Sequence, residues 1–251
     1  EPLRTDHAAG LRAASAHLAY AWYTSVPADV DAEIERRLGE HAAGRMNPWA
    51  VVDPASDQAV GMTTFCDIDQ PNRHVEIGYT WLAASVQRTA VNTAAKLLLL
   101  GHAFESCDAI AVEFRTHWHN RQSRAAIERL GAKQDGVLRN HRLGPDGSLR
   151  DTVVYSILPH EWPAVRLGLE ARLAALVDRH PNIAAFLCGH AHTAAVTTFA
   201  DRPLCIAPGV ASTLNLPFEG TDIINRGQPP GIAFHILTEE RLVTHFRAVP
   251  G

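Results

Sequence analysis

Three short stretches of this chain carry side chains that could do chemistry. Between Ser85 and Thr93 the run Ser-Val-Gln-Arg-Thr-Ala-Val-Asn-Thr joins a strand-like segment to an apolar helical one. Small residues at a helix start let backbone N–H groups converge, and the orphan donors and positive dipole end make a seat for phosphate there. Gln87, Arg88, Thr89, Ala90, Val91, Asn92 and Thr93 are therefore candidate contacts to a pyrophosphate. Further on, Asn120-Arg-Gln-Ser123 opens a second helix, with Asn120 as N-cap and Ser123 on one face with Ala126, Ile127 and Leu130. An inward-facing serine among apolar residues needs a reason. Far downstream, Gly189-His190-Ala191-His192 ends an apolar run. Residues two apart in extended chain project to the same side, so both imidazoles could reach one metal.

These groups need elements to hold them. His74 to Trp81 is rich in strand-favouring residues, and Val91 to Phe104 runs at helical spacing, with Val91, Ala94, Ala95, Leu98 and Ala103 or Phe104 available for one buried face. Ala109 to Phe114 reads as a strand, and the helix from Asn120 runs to Leu130 and stops at Gly131. Asp6 to Tyr20 and Pro27 to Ala43 read as helices, the second opening at Pro27 and Asp29. Trp49 to Asp53 and Ala59 to Cys66 form a hairpin through Pro54-Ala-Ser-Asp57, and Val153 to Leu158 closes the sheet. Trp162 to Val177 is one amphipathic helix, with Val165, Leu169, Leu173, Leu176 and Val177 on its apolar side.

Taken in order, Glu76-Ile-Gly-Tyr79, Gln87 to Asn92, Asn120-x-x-Ser123 and Leu130-Gly-Ala132 resemble the GNAT superfamily of acetyl-CoA-dependent N-acetyltransferases. The likeness is closest to the ribosomal-protein N-terminal acetyltransferase branch, covers about residues 3–160, and rests on several weak motifs in the right order. It implies an α/β (α+β) fold with a central mixed, mostly antiparallel sheet flanked by helices. It also implies transfer of acetyl from acetyl-CoA, the co-substrate, to a primary amine, either a protein N-terminus or a small molecule. The family's pyrophosphate loop usually reads Gln or Arg, two residues, Gly, one residue, then Gly or Ala. Gln87 fits the first position, while Ala90 and Asn92 stand where small residues are expected. Backbone donors do not depend on side-chain identity, but a Cβ at Ala90 and an amide at Asn92 crowd a phosphate. In many members a Tyr seven residues after the motif Asn protonates the leaving thiolate. Ile127 holds that position here, so Ser123, or a water it holds, becomes the candidate acid.

An amine must be neutral before it can attack a thioester. A Lys side chain, with a pKa of about 10.4, is almost wholly protonated at pH 7, whereas an α-amino group near about 7.7–8.0 is partly neutral already and asks less of a base. Glu76, on the strand that would flank the acetyl group, is the candidate to accept the proton directly or through water. The competing readings are a Glu76 that projects to solvent, an Asn120 that is only an N-cap or also a cofactor contact, and a Ser123 that is a small back-bonded helix residue.

The C-terminal third is of another kind. Leu187-Cys-Gly-His-Ala-His192, Arg202-Pro-Leu204, Ala207-Pro-Gly-Val210 and Pro230 to His235 resemble the C-terminal end of calcineurin-like metallophosphoesterases, nearest the bacterial cyclic-nucleotide phosphodiesterases. That family holds two metals with a further Asp-x-His, Asp and Gly-Asn-His-acid. Asp178-Arg-His180 matches the first by letters but precedes Pro181, and Asn140-His141 lacks both the Gly and the acid. His190 and His192 therefore read as a vestigial pair, since a dinuclear site needs a bridging carboxylate and several ligands per ion. The expected organisation is a GNAT domain over 1–160, a connecting helix over 161–177 and an incomplete phosphoesterase segment over 178–251 with a small β-rich fold. A metal-dependent phosphoesterase is the alternative function, and a non-catalytic fusion a third.

Bulk properties fit a soluble globular protein of 251 residues with formal net charge −4, which offers no basic footprint for nucleic acid. Neither half is polarised: residues 1–176 hold 18 Lys+Arg against 21 Asp+Glu, and residues 177–251 hold 5 against 6. Arg139-Asn-His-Arg142 reads as a solvated loop, although the GNAT resemblance implies that the corresponding region lies close to the acceptor substrate, and Tyr20, Trp22 and Tyr23 read as packing residues or lining of an acceptor cleft. Cys66, Cys107, Cys188 and Cys205 are widely spaced and read as reduced, buried thiols of a cytoplasmic protein. No run is long enough to cross a bilayer and no charged-then-apolar signal opens the chain. The start at Glu1 without Met points to a trimmed first strand. In the C-terminal segment, strands near 184–188, 195–199, 204–207, 232–237 and 242–247 would leave apolar edges exposed, favouring homodimerisation, aggregation or proteolysis.

Overall fold

Local signals start and stop most elements of the N-terminal half. A 3-10 turn over Thr5–His7 leads into α1 (Ala8–Ser15), and α2 (Val30–Ala42) opens where the Asp29 carboxylate accepts the Ala32 N–H at 3.0 Å. β1 (Asn47–Asp53) and β2 (Gln58–Asp69) make the expected antiparallel hairpin, and β3 (His74–Leu82) returns antiparallel along β2. After a 3-10 turn over Ala84–Val86 comes α3 (Ala90–Gly101), which runs on into a π turn over His102–Ser106. β4 (Ala111–His117) precedes α4 (Arg121–Leu130), and β5 (Lys133–Leu143), β6 (Leu149–Ile157) and α5 (Trp162–Val177) follow. The computed structural model describes residues 1–16, 18, 26–53, 56–144, 146–188, 193–209, 213–214, 224–225, 227, 229–238 and 241–249. Tyr20, Trp22, Tyr23, His190 and His192 lie outside the described residues.

The chain divides into two compact units, Glu1–Leu173 and Ala174–Gly251. In the first, six strands form one sheet in the order β1-β2-β3-β4-β6-β5, all antiparallel except β3 against β4. The result is the mixed, mostly antiparallel sheet flanked by helices that the sequence leads one to expect. One buried cluster joins Leu11 of α1 and Val30 and Ile34 of α2 to Ala50, Met62 and Trp81. A larger one joins Leu99 and Leu100 of α3, Ile127 and Leu130 of α4 and Trp162, Val165 and Leu169 of α5 to Val112, Phe114, Val153, Tyr155 and Ile157 of the sheet. α4 ends where Gly131 turns left-handed (φ +103°), and a Cβ there would meet Val165 Cγ2 at 2.8 Å, so both conformation and packing call for glycine.

Three expectations need correction. Leu98 is not on the buried face of α3 but 74% exposed; that face carries Lys96, Leu99 and Leu100, with Ala103 following in the π turn. Arg139 to Arg142 is not a loop but the end of β5, an exposed edge strand whose charges suit solvent and discourage pairing with another sheet. Of the four cysteines, Cys66 and Cys205 are buried, whereas Cys107 and Cys188 are exposed.

Lys96 takes a core position because two threonines receive it. Its ammonium donates to Thr63 Oγ1 on β2 (3.1 Å) and Thr80 Oγ1 on β3 (2.9 Å), and burial lowers its pKa from 10.5 to about 7. In the unfolded chain the amine keeps its proton up to its ordinary value, so folding gains stability as pH rises from about 7 toward 10.5 and lacks that gain below about 7. Thr63 and Thr80 already bond each other at 2.8 Å, so an apolar neighbour leaves them satisfied. Lys96→Met is expected to melt roughly 2–8 °C above the parent near pH 6, with the gap closing toward pH 9. Calorimetry across that range checks this, and a gap independent of pH would refute it.

The second unit holds a three-stranded sheet in the order β7-β9-β8, from β7 (Phe186–Cys188), β8 (Ala195–Phe199) and β9 (Arg202–Ile206). Among the described residues two strand pairs accompany it, β10 (Thr213–Leu214) with β11 (Ile224–Asn225), and β12 (Gly231–Leu237) with β13 (Leu242–Ala248). Alternation puts Ile232, Phe234 and Ile236 on one face of β12, and all three are exposed.

Candidate functional site

The sheet opens at its one parallel seam. β3 and β4 are paired only at His74 with Ala111, Val75 with Val112 and Glu76 with Glu113, although β3 runs on to Leu82 and β4 to His117. Past Glu76 the facing edges have no ladder to each other, which leaves backbone donors and acceptors for an extended ligand between the strands. Tyr79 on the open side adopts φ +50°, and the fully buried Arg37 of α2 donates to its carbonyl at 3.4 Å and to Thr64 Oγ1 at 2.8 Å.

Glu76 stands at the origin of this opening and is 9% exposed, so the solvent-projecting reading of it fails. Room for its carboxyl comes from Gly78, two residues on and on the same face: a Cβ there would lie 2.8 Å from Glu76 Oε1 and 3.0 Å from Cys66 Sγ. Burial pushes the Glu76 carboxyl up from 4.5 to about 7, against the pull of Arg115, whose Nε lies 3.6 Å from Oε2. Arg115 is shared among carboxylates, reaching Glu113 at 2.7 Å and Asp67 at 3.3 Å, while His74 Nε2 lies 3.0 Å from Glu113. A carboxyl titrating near 7 and backed by a guanidinium can take up and release a proton at neutral pH.

At the far end of β3 lies the turn into α3. Gln87 Nε2 donates to Leu82 O at 2.9 Å, so its side chain braces the turn. Arg88 adopts φ +62° and is exposed, and Thr89 caps the helix, its Oγ1 accepting the Val91 N–H at 3.3 Å and donating to Val86 O at 2.7 Å. That cap uses one of the first four helix donors, leaving the amides of Thr89, Ala90 and Asn92 without an intrahelical acceptor and Thr93 one residue behind them. The turn thus has the donor set of an anion seat.

α4 begins as its sequence indicates. Asn120 Oδ1 accepts the Ser123 N–H at 3.0 Å, and the Ser123 side chain is half-buried with no hydrogen bond to its hydroxyl among the described residues. Sequence reasoning passed over His117, the last residue of β4. Its Nδ1 accepts the His119 N–H at 3.0 Å, and burial lowers its pKa, so the ring is neutral with its proton on Nε2. It also passed over Arg37 and Arg115, whose importance shows only when strands distant in sequence come together. Two surface cavities of about 420 and 360 Å³ flank α5, lined by residues such as Gly131 and Val165 or Leu98 and Trp162, and neither includes Glu76.

The chain is similar to known proteins in sequence and in fold. Residues 1–133 match the family model described as the acetyltransferase (GNAT) domain. The chain is 37% identical over 102 residues to YdaF of Bacillus subtilis (strain 168), which carries the name of a ribosomal N-acetyltransferase; the match covers 41% of this chain and 55% of YdaF, little more than half the relative's length. A GCN5-related N-acetyltransferase from Brucella melitensis is 31% identical, with a TM-score of 0.61 over 68% of this chain and 80% of that one. Mycobacterium smegmatis RimJ, solved with CoA-disulfide, is 25% identical, with a TM-score of 0.58 over 68% of this chain and 87% of its own.

Proposed function

The chain belongs to the GNAT acetyltransferase family, and from that premise we propose that its first unit transfers acetyl from acetyl-CoA to a primary amine, a protein N-terminus or a small molecule. The observation that carries the proposal is the seam that opens at a buried Glu76 and leads to a helix start with free amides. Acetyl-CoA supplies an acyl group on a thiolate leaving group. The turn from Gln87 to Thr93 holds its pyrophosphate through the amides of Thr89, Ala90 and Asn92 with Arg88 beside them, while Gln87 braces the turn and Val91 closes the cap ahead of Thr93, and Asn120 contacts the cofactor from the start of α4. Glu76 accepts the proton of the incoming ammonium, directly or through water, and Ser123 or a water it holds gives a proton to the thiolate. An α-amine is the easier acceptor, because its pKa of about 7.7–8.0 lies close to that of the base.

In this reading 1–160 is the catalytic domain, 161–177 a connecting helix, and residues 178–251 a phosphoesterase-like remnant that takes no part in the chemistry. Free cysteines accord with a reducing, cytoplasmic site of action. No helix among the described residues is long and apolar enough to cross a membrane. Titration calorimetry with acetyl-CoA, followed by a screen of amine acceptors for thiol release, tests the proposal. Saturable binding with turnover of at least one amine is expected; absence of binding at millimolar acetyl-CoA would end it.

A further inference from the structure

β3 carries one residue more than β2 beside the opening. Met62 pairs with Trp81 and Thr64 with Gly78, so β3 advances a residue further than β2 between the same two pairs, and Tyr79 and Thr80 form a bulge opposite Thr63. Tyr79 holds φ +50° there, a left-handed conformation that strains a residue with a bulky side chain and persists only where the surroundings over-determine it.

Two buried cations supply that constraint, one from each side of the sheet. Adjacent residues of β2 point to opposite faces, and Arg37 of α2 reaches Thr64 while Lys96 of α3 reaches Thr63. Arg37 donates from Nη1 to Thr64 Oγ1 at 2.8 Å and from both Nη atoms to Tyr79 O at 3.4 Å, and its guanidinium lies 5.5 Å from the centre of the Tyr79 ring. Glu33 fixes its other end, accepting from Arg37 Nε at 2.7 Å and from Arg36 Nε at 2.8 Å, and Arg36 lies 5.6 Å from the same ring. On the opposite face Lys96 Nζ donates to both Thr63 and Thr80, so it holds a bulged residue and the strand residue facing it at once. No carboxylate pairs with Lys96 among the described residues, and the two threonines bond each other without it. A buried amine that its neighbours do not need for their own satisfaction marks a place where function overrides stability.

The position of the bulge says what that function is. It lies just beyond Glu76, where the β3–β4 ladder stops, on the edge that flanks the opening. Lys96 stands six residues along α3 from Ala90, about 9 Å from the anion seat at the helix start. A single tie thus sets the distance between that seat and the open edge of β3.

Resting on the acetyl-transfer reading, we propose that Arg37 and Lys96 are positioning residues that grip the bulge of Tyr79 and Thr80 from opposite faces, holding the β3 edge away from β4 and in register with the phosphate seat of α3. The thioester and the pyrophosphate of one acetyl-CoA are then received together. Both side chains act through β3 and neither touches the reacting atoms.

Two variants test this in the whole chain. Arg37→Lys keeps a cation beside Glu33 but offers a compact ammonium where Thr64 and Tyr79 require a fork, and Lys96→Met removes the second tie while melting no lower than the parent. In the ligand-free protein, hydrogen exchange is expected to be about tenfold faster at the amides of residues 78–82 in each variant, with the amides of β6 no faster in Lys96→Met than in the parent. Coenzyme A affinity by titration calorimetry should fall about tenfold in each, although the first turn of α3 is unaltered. A merely structural role would move exchange and melting together across the whole sheet and leave the affinity of a folded variant at the parent's value. Parental exchange at residues 78–82 in either variant, or loosened exchange with parental coenzyme A affinity, would overturn the proposal. Local loosening in a protein whose parent binds no coenzyme A would support the grip on the bulge and count against the acetyl-transfer reading instead.

Discussion

Glu76→Gln is expected to lower kcat/KM for amine acceptors about 10²–10³-fold at pH 7, as loss of a positioned base does. The parent's rate should climb through about pH 7, where the buried carboxyl ionises, and then level. The variant must wait for the amine to lose its own proton, so its rate keeps rising past pH 8 and recovers part of the deficit. Stability should move the other way. The folded carboxyl holds its proton to about 7 while the unfolded one ionises near 4.5, so the folded state binds more protons in between and loses stability as pH rises through that window. Gln carries no such penalty and should melt higher than the parent above pH 7. Rate and melting profiles measured together decide the matter, because a Glu76 with a purely structural role would leave the rate unchanged.

Ala90→Leu should weaken coenzyme A binding about 10–100-fold, the loss of one or two charge-assisted hydrogen bonds. Ala90 is the first residue of α3, where its amide and those of Thr89 and Asn92 have no partner within the helix. A bulky side chain there screens these donors from a phosphate, while leucine's helix propensity keeps α3 in place. Titration calorimetry gives the affinity and circular dichroism the fold. Unchanged affinity in a folded variant would remove this turn from the cofactor site.

Elements governed by local chemistry are legible in the amino-acid sequence. Asn120 and Gly131 bracket α4 because an N-cap acceptor and a left-handed residue each act within one turn of chain. Asp29 and the turn before Gln58 mark α2 and the first hairpin for the same reason. What other strands contribute cannot be read that way. Lys96 is buried because Thr63 and Thr80, far away in sequence, supply acceptors, and its apolar neighbours point to the wrong face of α3. β5 escapes notice because an edge strand lined with Lys133, Arg139, His141 and Arg142 has the composition of a loop. The position of Glu76 is legible from its motif, but not its burial, which Gly78, Cys66 and the arrest of the β3–β4 ladder create together.

The placement of α5 has a bearing on how the chain is made. The first unit draws its core from Trp162, Val165 and Leu169, and it is complete at Leu173. At a translation rate of about 5–20 residues per second, the 78 residues from Ala174 to Gly251 take roughly 4–16 s more to synthesise. Domains generally fold as units during synthesis, the N-terminal one first, and this interval gives the first unit time to do so. The sheet of the first unit can therefore close while the strands that follow are still within or just leaving the ribosome. The exposed apolar stripe of Ile232, Phe234 and Ile236 then leaves the ribosome only after the first unit has had time to close, so vectorial synthesis keeps that stripe from meeting an unfinished first sheet.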